Sequence, residues 1–264
     1  EVLKRANILG IEATEVSPRD LKVMEPKLSI NSIGGVYFPN DHHATPAPFI
    51  RALHHYLETS GVQFLLSEEV LDFTIKSNKI ISVSTTNRQF NADEFLVASG
   101  TWSAKLLEKL NIKLLLQPGK GYAFESKRIS EISTPTILVE AKTAVTPMLG
   151  FTRFAGTMEL SGLNNKLNKK RVDAIASAVH RFYPELSLNP DETSKAKFGY
   201  RPLSPDGMPY IGRSDFFKNL TIATGHAMIG WTLGPGTGKL VSELILNQKA
   251  SVDLAPYNPN RTFG

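Results

Sequence analysis

Residues 224–246 read TGHAMIGWTLGPGTGKLVSELIL. Leu240, Val241, Leu244 and Ile245 recur at helical spacing and predict one packed helix face. The glycines ahead of them leave backbone amides uncovered by side chains. A helix N-terminus with such free amides favours partial negative charge. A glycine-rich turn that merely caps a helix accounts for the same residues, so the stretch alone does not decide between the two. Two phosphate-binding readings fail on spacing. A phosphate-binding loop needs Gly and a hydroxyl where Leu233 and Leu240 stand, and a dinucleotide fingerprint needs Gly where Lys239 stands. No G-x-G-x-x-G occurs elsewhere in the chain.

Upstream, a strand is predicted over 220–223, and before it lies FGYRPLSPDGMPYIG, residues 198–212. Its prolines and glycines predict a rigid loop that carries one strongly basic side chain, Arg201, between Tyr200 and Pro202. An arginine on a stiff element can grip a carboxylate through two parallel hydrogen bonds. An isolated arginine in such a place is more often a surface or ion-pair residue. Asp206 is expected to cap its turn rather than to act as a base.

The first helix start is Ser17-Pro18-Arg19-Asp20, a serine followed three residues on by an acid, with Pro at the first helical position. A second helix begins at Thr45-Pro46. Phe49, Ile50, Leu53, Tyr56 and Leu57 predict a buried face for it, and Gly61 stops it. Strands are expected over 62–66, 70–75 and 80–85, with a turn at Asn78-Lys79, and a buried strand over 95–98 ends at Ser99-Gly100. This order suits a doubly wound α/β sheet closing around a nucleotide. Between Lys113 and Gly162 the texture is antiparallel, and Val172, Ile175, Val179 and Phe182 mark another amphipathic helix.

The chain has 264 residues, 41% of them hydrophobic, enough to bury a sizeable core. Its net charge of +5 suits an anionic substrate or cofactor, or an acidic membrane surface, and is too small and too spread to point to nucleic acid. There is no cysteine, which excludes disulfides, thiolate metal sites and a cysteinyl flavin link. No apolar run approaches the roughly 20 residues of a membrane span, and residues 1–16 lack the apolar core and cleavage site of a signal peptide. His42-His43 and His54-His55 are adjacent pairs. Neighbours on a helix point about 100° apart, so no metal site is expected.

Read together and in order, R-P-x-S-P-D-G-x-P-x-I-G at 201–212 and T-G-H-x-x-x-G-W-T at 224–232 resemble the C-terminal signature of the D-amino-acid oxidase superfamily of FAD-dependent oxidoreductases. The resemblance is strongest to the D-amino-acid dehydrogenase small subunit, with glycine oxidase and sarcosine oxidase as relatives. GGVYFPNDHHATP (34–46), FLVASGTWS (95–103) and QPGKG (117–121), the last as a turn into the substrate sheet, follow the family's order, so it covers nearly the whole chain. The family's G-x-G-x-x-G element is missing. This implies a C-terminal portion whose N-terminal nucleotide-binding segment is absent, and an FAD site that the chain only half builds.

The resemblance implies an α/β fold with antiparallel β structure: a truncated, doubly wound FAD-binding domain with an inserted antiparallel-sheet substrate domain. Residues 1–116 and 201–264 would be the remainder of the FAD-binding domain, and 117–200 the substrate domain. Arg201 would bind the substrate carboxylate. Gly225, His226, Gly230, Trp231 and Thr232 would line the isoalloxazine, Val70 would touch the adenine side through its backbone, and Gly100 and Trp102 would pack near the dinucleotide. The implied reaction is oxidation of a D-amino acid by hydride transfer from its α carbon to FAD, giving a 2-oxo acid and ammonia, with no catalytic base nominated. Alternatives are a glycine, sarcosine or 2-hydroxy-acid oxidase, or a non-catalytic assembly module. The protein is expected in the cytoplasm or peripheral to the inner face of the membrane. Neither its electron acceptor nor its oligomeric state is legible.

Overall fold

The computed structural model describes residues 1–263, which form two compact units. One comprises Glu1–Gln63, Gly121–Met158 and Asn165–Gly199, the other Phe64–Lys120, Glu159–Asn164 and Tyr200–Gly264.

In the first unit the helix Pro18–Met24 starts as expected. The Ser17 hydroxyl accepts from Asp20 N at 3.3 Å, and the Asp20 carboxylate accepts from Ser17 N at 2.7 Å. The helix ends at Glu25, whose buried carboxylate accepts from Ser133 N at 3.1 Å and Thr134 N at 2.5 Å. A short strand, Gly35–Tyr37, pairs antiparallel with Thr14–Val16.

The helix Pro46–Thr59 ends before Gly61, which adopts φ +90°. Its apolar face departs from expectation, because none of its residues is buried and Tyr56 is 66% exposed. Periodicity reports that a face is apolar but not what covers it.

A five-stranded sheet runs in the order Lys197–Leu203, Gln117–Ser126, Phe151–Glu159, Thr143–Met148, Thr136–Leu138. Phe151–Glu159 and Thr143–Met148 form an antiparallel hairpin. Their connection includes Gly150 at φ +82°, which a side chain would strain. The helix Lys169–Phe182 buries Val172, Ile175, Val179 and Phe182 in one core with Tyr122, Phe124, Val145 and Phe154. Each such side chain contributes about 1.5–3 kcal/mol by leaving water. The motif at 117–121, expected as a turn, lies within a strand instead.

The second unit contains two three-stranded sheets. In one, Leu220–Thr224 lies between Tyr210–Arg213, antiparallel to it, and Phe95–Val97, parallel to it. In the other, Val70–Lys76, Lys79–Thr85 and Gln89–Asn91 are antiparallel. The first turn of that meander falls at Ser77-Asn78, one residue earlier than expected. Both residues have positive φ, 50° and 58°, which a two-residue hairpin turn with the twist of its strands requires. Residues 62–66 are exposed and belong to no strand of the described sheets.

Asn219 ties the two sheets together. Its side chain accepts from Ile80 N at 3.0 Å and donates to Ile80 O at 2.8 Å and Asp93 O at 3.0 Å. Asn219→Ala leaves the buried Ile80 amide without this acceptor. It is expected to lower the unfolding free energy by about 2 kcal/mol, read as a fall in denaturant midpoint.

No described helix is long and apolar enough to cross a membrane. Among the described residues no cluster of three or more His, Asp or Glu could hold a metal ion.

Candidate functional site

The two glycine- and proline-rich motifs meet in the second unit. The strand bearing Arg201 ends at Leu203, which forms an antiparallel bridge with His226. Ala227 N donates to Pro202 O at 2.9 Å. The turn that makes this possible needs left-handed backbone at Gly225, φ +82°, and Ala227, φ +48°.

Gly225 has a second reason to lack a side chain. A Cβ there would lie 2.9 Å from the Tyr210 ring. Thr224 Oγ1 donates to Gly100 O at 3.0 Å, so the Gly100–Trp102 turn joins the same cluster. The edge of Trp102 meets Tyr200, with ring centroids 6.2 Å apart.

The final helix, Gly230–Ile245, runs through Pro235 and, beyond its first residue, three glycines. Such residues disfavour helix, and an internal proline costs about 3 kcal/mol. Two features favour it here. Leu240 and Val241 pack with Ile211 and Ala223, and the His226 ring nitrogen Nε2 bonds Thr237 Oγ1 at 2.9 Å across the first two turns.

The amide-bearing end is Gly230 to Thr232. It has no side-chain cap and no acid in its first turn. The Gly230 and Thr232 amides have no acceptor within the helix. Around them the surface is apolar and open: Met228 is 71% exposed, and Trp231 and Trp102 are about half exposed.

Arg201 is partly buried, and burial lowers its pKa from the ordinary guanidinium value. It stays charged at neutral pH. Among the described residues no carboxylate pairs with it, although the chain's other arginines at 213 and 261 are each paired. A desolvated guanidinium without an anion gains most from a ligand that brings one. Burial also lowers the pKa of His226, which keeps the ring neutral at neutral pH.

A neighbouring group escaped the sequence reading. The Tyr200 hydroxyl accepts from Asn164 N at 2.6 Å and donates to Asn164 O. The buried Lys120 ammonium donates to Asn164 Oδ1 at 2.5 Å and lies 5.5 Å from the Tyr200 ring. Successive strand side chains point to opposite faces, so fastening Tyr200 steadies the strand without occupying the face of Arg201. The position of Tyr200 beside Arg201 was the only local signal. The Asn164 contact is 36 residues away in sequence. Val70 is not brought into this cluster and lies on the separate meander.

Residues 1–244 match the DAO family, described as FAD dependent oxidoreductase. The chain belongs to this family. The DAO chain is 34% identical over 233 residues to a D-amino acid dehydrogenase of Vibrio vulnificus, covering 85% of this chain and 55% of that protein. It is 30% identical to a D-amino acid dehydrogenase of Granulibacter bethesdensis, covering 84% and 53%. The chain thus spans about half the length of the curated relatives it matches.

Glycine oxidase from Geobacillus kaustophilus superposes with a TM-score of 0.87 at 23% identity, covering 98% of this chain and 70% of that one. L-proline dehydrogenase from P. horikoshii gives 0.85 at 22%, covering 97% and 70%. These likenesses show a shared fold, α/β with antiparallel sheets.

The residues present suit the ring end of a flavin. The helix end is uncapped, the surface beside it is apolar and open, and the buried Thr101 Oγ1, next to Gly100, has no described hydrogen-bond partner.

Proposed function

We propose that this protein is an FAD-dependent D-amino-acid dehydrogenase or oxidase in which Arg201 holds the substrate's α-carboxylate. The observation that carries the reading is a partly buried Arg201 with no anionic partner among the described residues, fastened by the Leu203–His226 bridge to the uncapped start of the final helix. FAD, when bound, supplies the hydride acceptor for oxidation of the amine to an imine, which water converts to a 2-oxo acid and ammonia.

Gly225, His226, Gly230, Trp231 and Thr232 would line the isoalloxazine. The Gly230 and Thr232 amides would favour the negative charge of the reduced ring. Gly100, Trp102 and Val70 would lie toward the rest of the dinucleotide. Arg201 orients the α carbon, and such orientation is a large part of what the protein contributes. His226 is held by Thr237 and neutral, which suits a lining residue rather than a base. The division of labour proposed is FAD-domain remainder for 1–116 and 201–264 and substrate domain for 117–200. Compactness draws the lines elsewhere, placing 1–63 with most of the antiparallel sheet.

The D configuration rests on the names of the relatives. A fold shared with glycine oxidase and L-proline dehydrogenase supports a second reading, a glycine or secondary-amine oxidase. Turnover of D-alanine, L-alanine, glycine, sarcosine and 2-hydroxyglutarate, with dioxygen or an artificial electron acceptor, separates them. D-alanine is expected to exceed the others in kcat/KM by about tenfold or more. Preference for glycine or sarcosine would replace the first reading by the second, and a full-length protein without flavin absorbance would remove both in favour of a non-catalytic module.

A further inference from the structure

Four positions of the motif after Arg201 are explained by one distant side chain. The Arg261 guanidinium forms a two-pronged pair with Asp206, Nε to Oδ2 and Nη2 to Oδ1, both at 2.9 Å. It also donates to Met208 O at 2.7 Å and Pro209 O at 3.3 Å. It lies 4.0 Å from the centre of the Tyr210 ring and 5.3 Å from that of Phe263. The same segment crosses the next strand so closely that a Cβ on Gly212 would lie 2.6 Å from Pro259 Cδ. Asn260 Nδ2 donates to Arg213 O at 3.3 Å. Asp206, Tyr210 and Gly212 are thus the docking points of the segment 257–263, and Met208 lends it a carbonyl. Chiefly through Arg261, the Asp206 carboxyl is held down at about 2, so the pair stays ionised throughout the working pH range.

We infer that Arg261 is a positioning residue: the segment 257–263 straps the turn 204–212, and through that turn fixes the strand end that carries Arg201. The turn starts immediately after Leu203 and is closed on itself by Ser204 Oγ donating to Met208 O at 2.7 Å. It has few other anchors. Gly207 needs left-handed backbone at φ +76°, and Asp206, Gly207 and Met208 are exposed. Without the guanidinium, Asp206, Met208 O and Pro209 O each lose a donor at once, leaving Met208 O only Ser204 Oγ and Asp206 only local bonds such as that from Met208 N. A loosened turn leaves Arg201 less often in the geometry that two parallel hydrogen bonds demand. The kinetic consequence rests on the reading of Arg201 as the carboxylate site. The mechanical one does not.

The test compares wild type, Arg201→Ala, Arg261→Gln, Arg261→Lys, Asp206→Asn and the double variant Asp206→Asn/Arg261→Gln, all as FAD-loaded enzyme. Lysine keeps the charge but not the planar fork, so it reports even if glutamine prevents folding. Amide hydrogen exchange over 201–208 is expected to accelerate in every Arg261 and Asp206 variant. KM for D-alanine is expected to rise by about tenfold with kcat within about threefold, and the double variant to be no worse than either single one. Faster exchange confined to 257–263, with 201–208 still protected, would overturn the inference. Loosened exchange together with a KM that neither Arg261→Gln nor Arg201→Ala changes would support the strap and remove the Arg201 assignment instead.

Discussion

Arg201→Ala is expected to lower kcat/KM for a D-amino acid by about 10²–10⁴-fold. Two hydrogen bonds from a charged donor are worth about 1.5–3 kcal/mol each, and about 1.4 kcal/mol is a factor of ten. Because the side chain has no described ion-pair partner, removing it strands no buried carboxylate. The fold should therefore survive, with a melting temperature close to that of the wild type. Steady-state kinetics checks the prediction alongside thermal unfolding. A large loss of activity in a protein that melts normally is the expected pattern, and unchanged kinetics would contradict it. Arg201→Lys keeps the charge but loses the fork, so it should recover only part of the loss.

Gly225→Ala should be the most damaging single change to the scaffold of the site. Two costs add. The position has φ +82°, where a Cβ is strained by about 1–2 kcal/mol. The new methyl would also stand 2.9 Å from the Tyr210 ring and 3.5 Å from Leu116 Cδ2, and overpacking of this kind costs about 1–3 kcal/mol. Tyr210 cannot retreat, because it is buried and its hydroxyl is bonded to Leu115 O at 3.0 Å. A total of about 2–5 kcal/mol should appear as a clear fall in melting temperature. Gly238→Ala is the matched control. Nothing lies within 4 Å of a Cβ there, and the helix gains propensity, so it should melt at or slightly above the wild-type temperature.

What the sequence made legible was whatever is written locally. The Ser17 capping box, the helix face of Val172, Ile175, Val179 and Phe182, and the two motifs that bracket the strand 220–224 all depend on neighbours a few residues away. The misreadings share the opposite cause. Residues 62–66 have strand-like composition, but a strand exists only where another strand pairs with it, and none does. Of the final helix, periodicity gave only the apolar face at 240–245, with glycines leading it. A bond between His226 and Thr237 and the packing of Leu240 carry it back over a proline to Gly230.

In the candidate site, Arg201 and the glycines were visible because their chemistry is peculiar to their position. Arg261, Asn164 and Lys120 were not, since their importance arises from contacts 55, 36 and 44 residues distant. Asp206 was half read. It does accept from Met208 N at 3.0 Å as a turn cap, but its stronger partner lies far along the chain.

The most direct test of the account is a spectral titration of the FAD-loaded protein with propionate and, separately, with propionamide, in wild type and in Arg201→Gln. The two ligands have nearly the same shape, and only propionate carries the anion that Arg201 is held to grip. Saturable perturbation of flavin absorbance by propionate, weakened by about 100-fold or more in Arg201→Gln and matched by no comparable response to propionamide, is the predicted result. Equal affinity for both ligands, or propionate binding that survives the substitution, would contradict it.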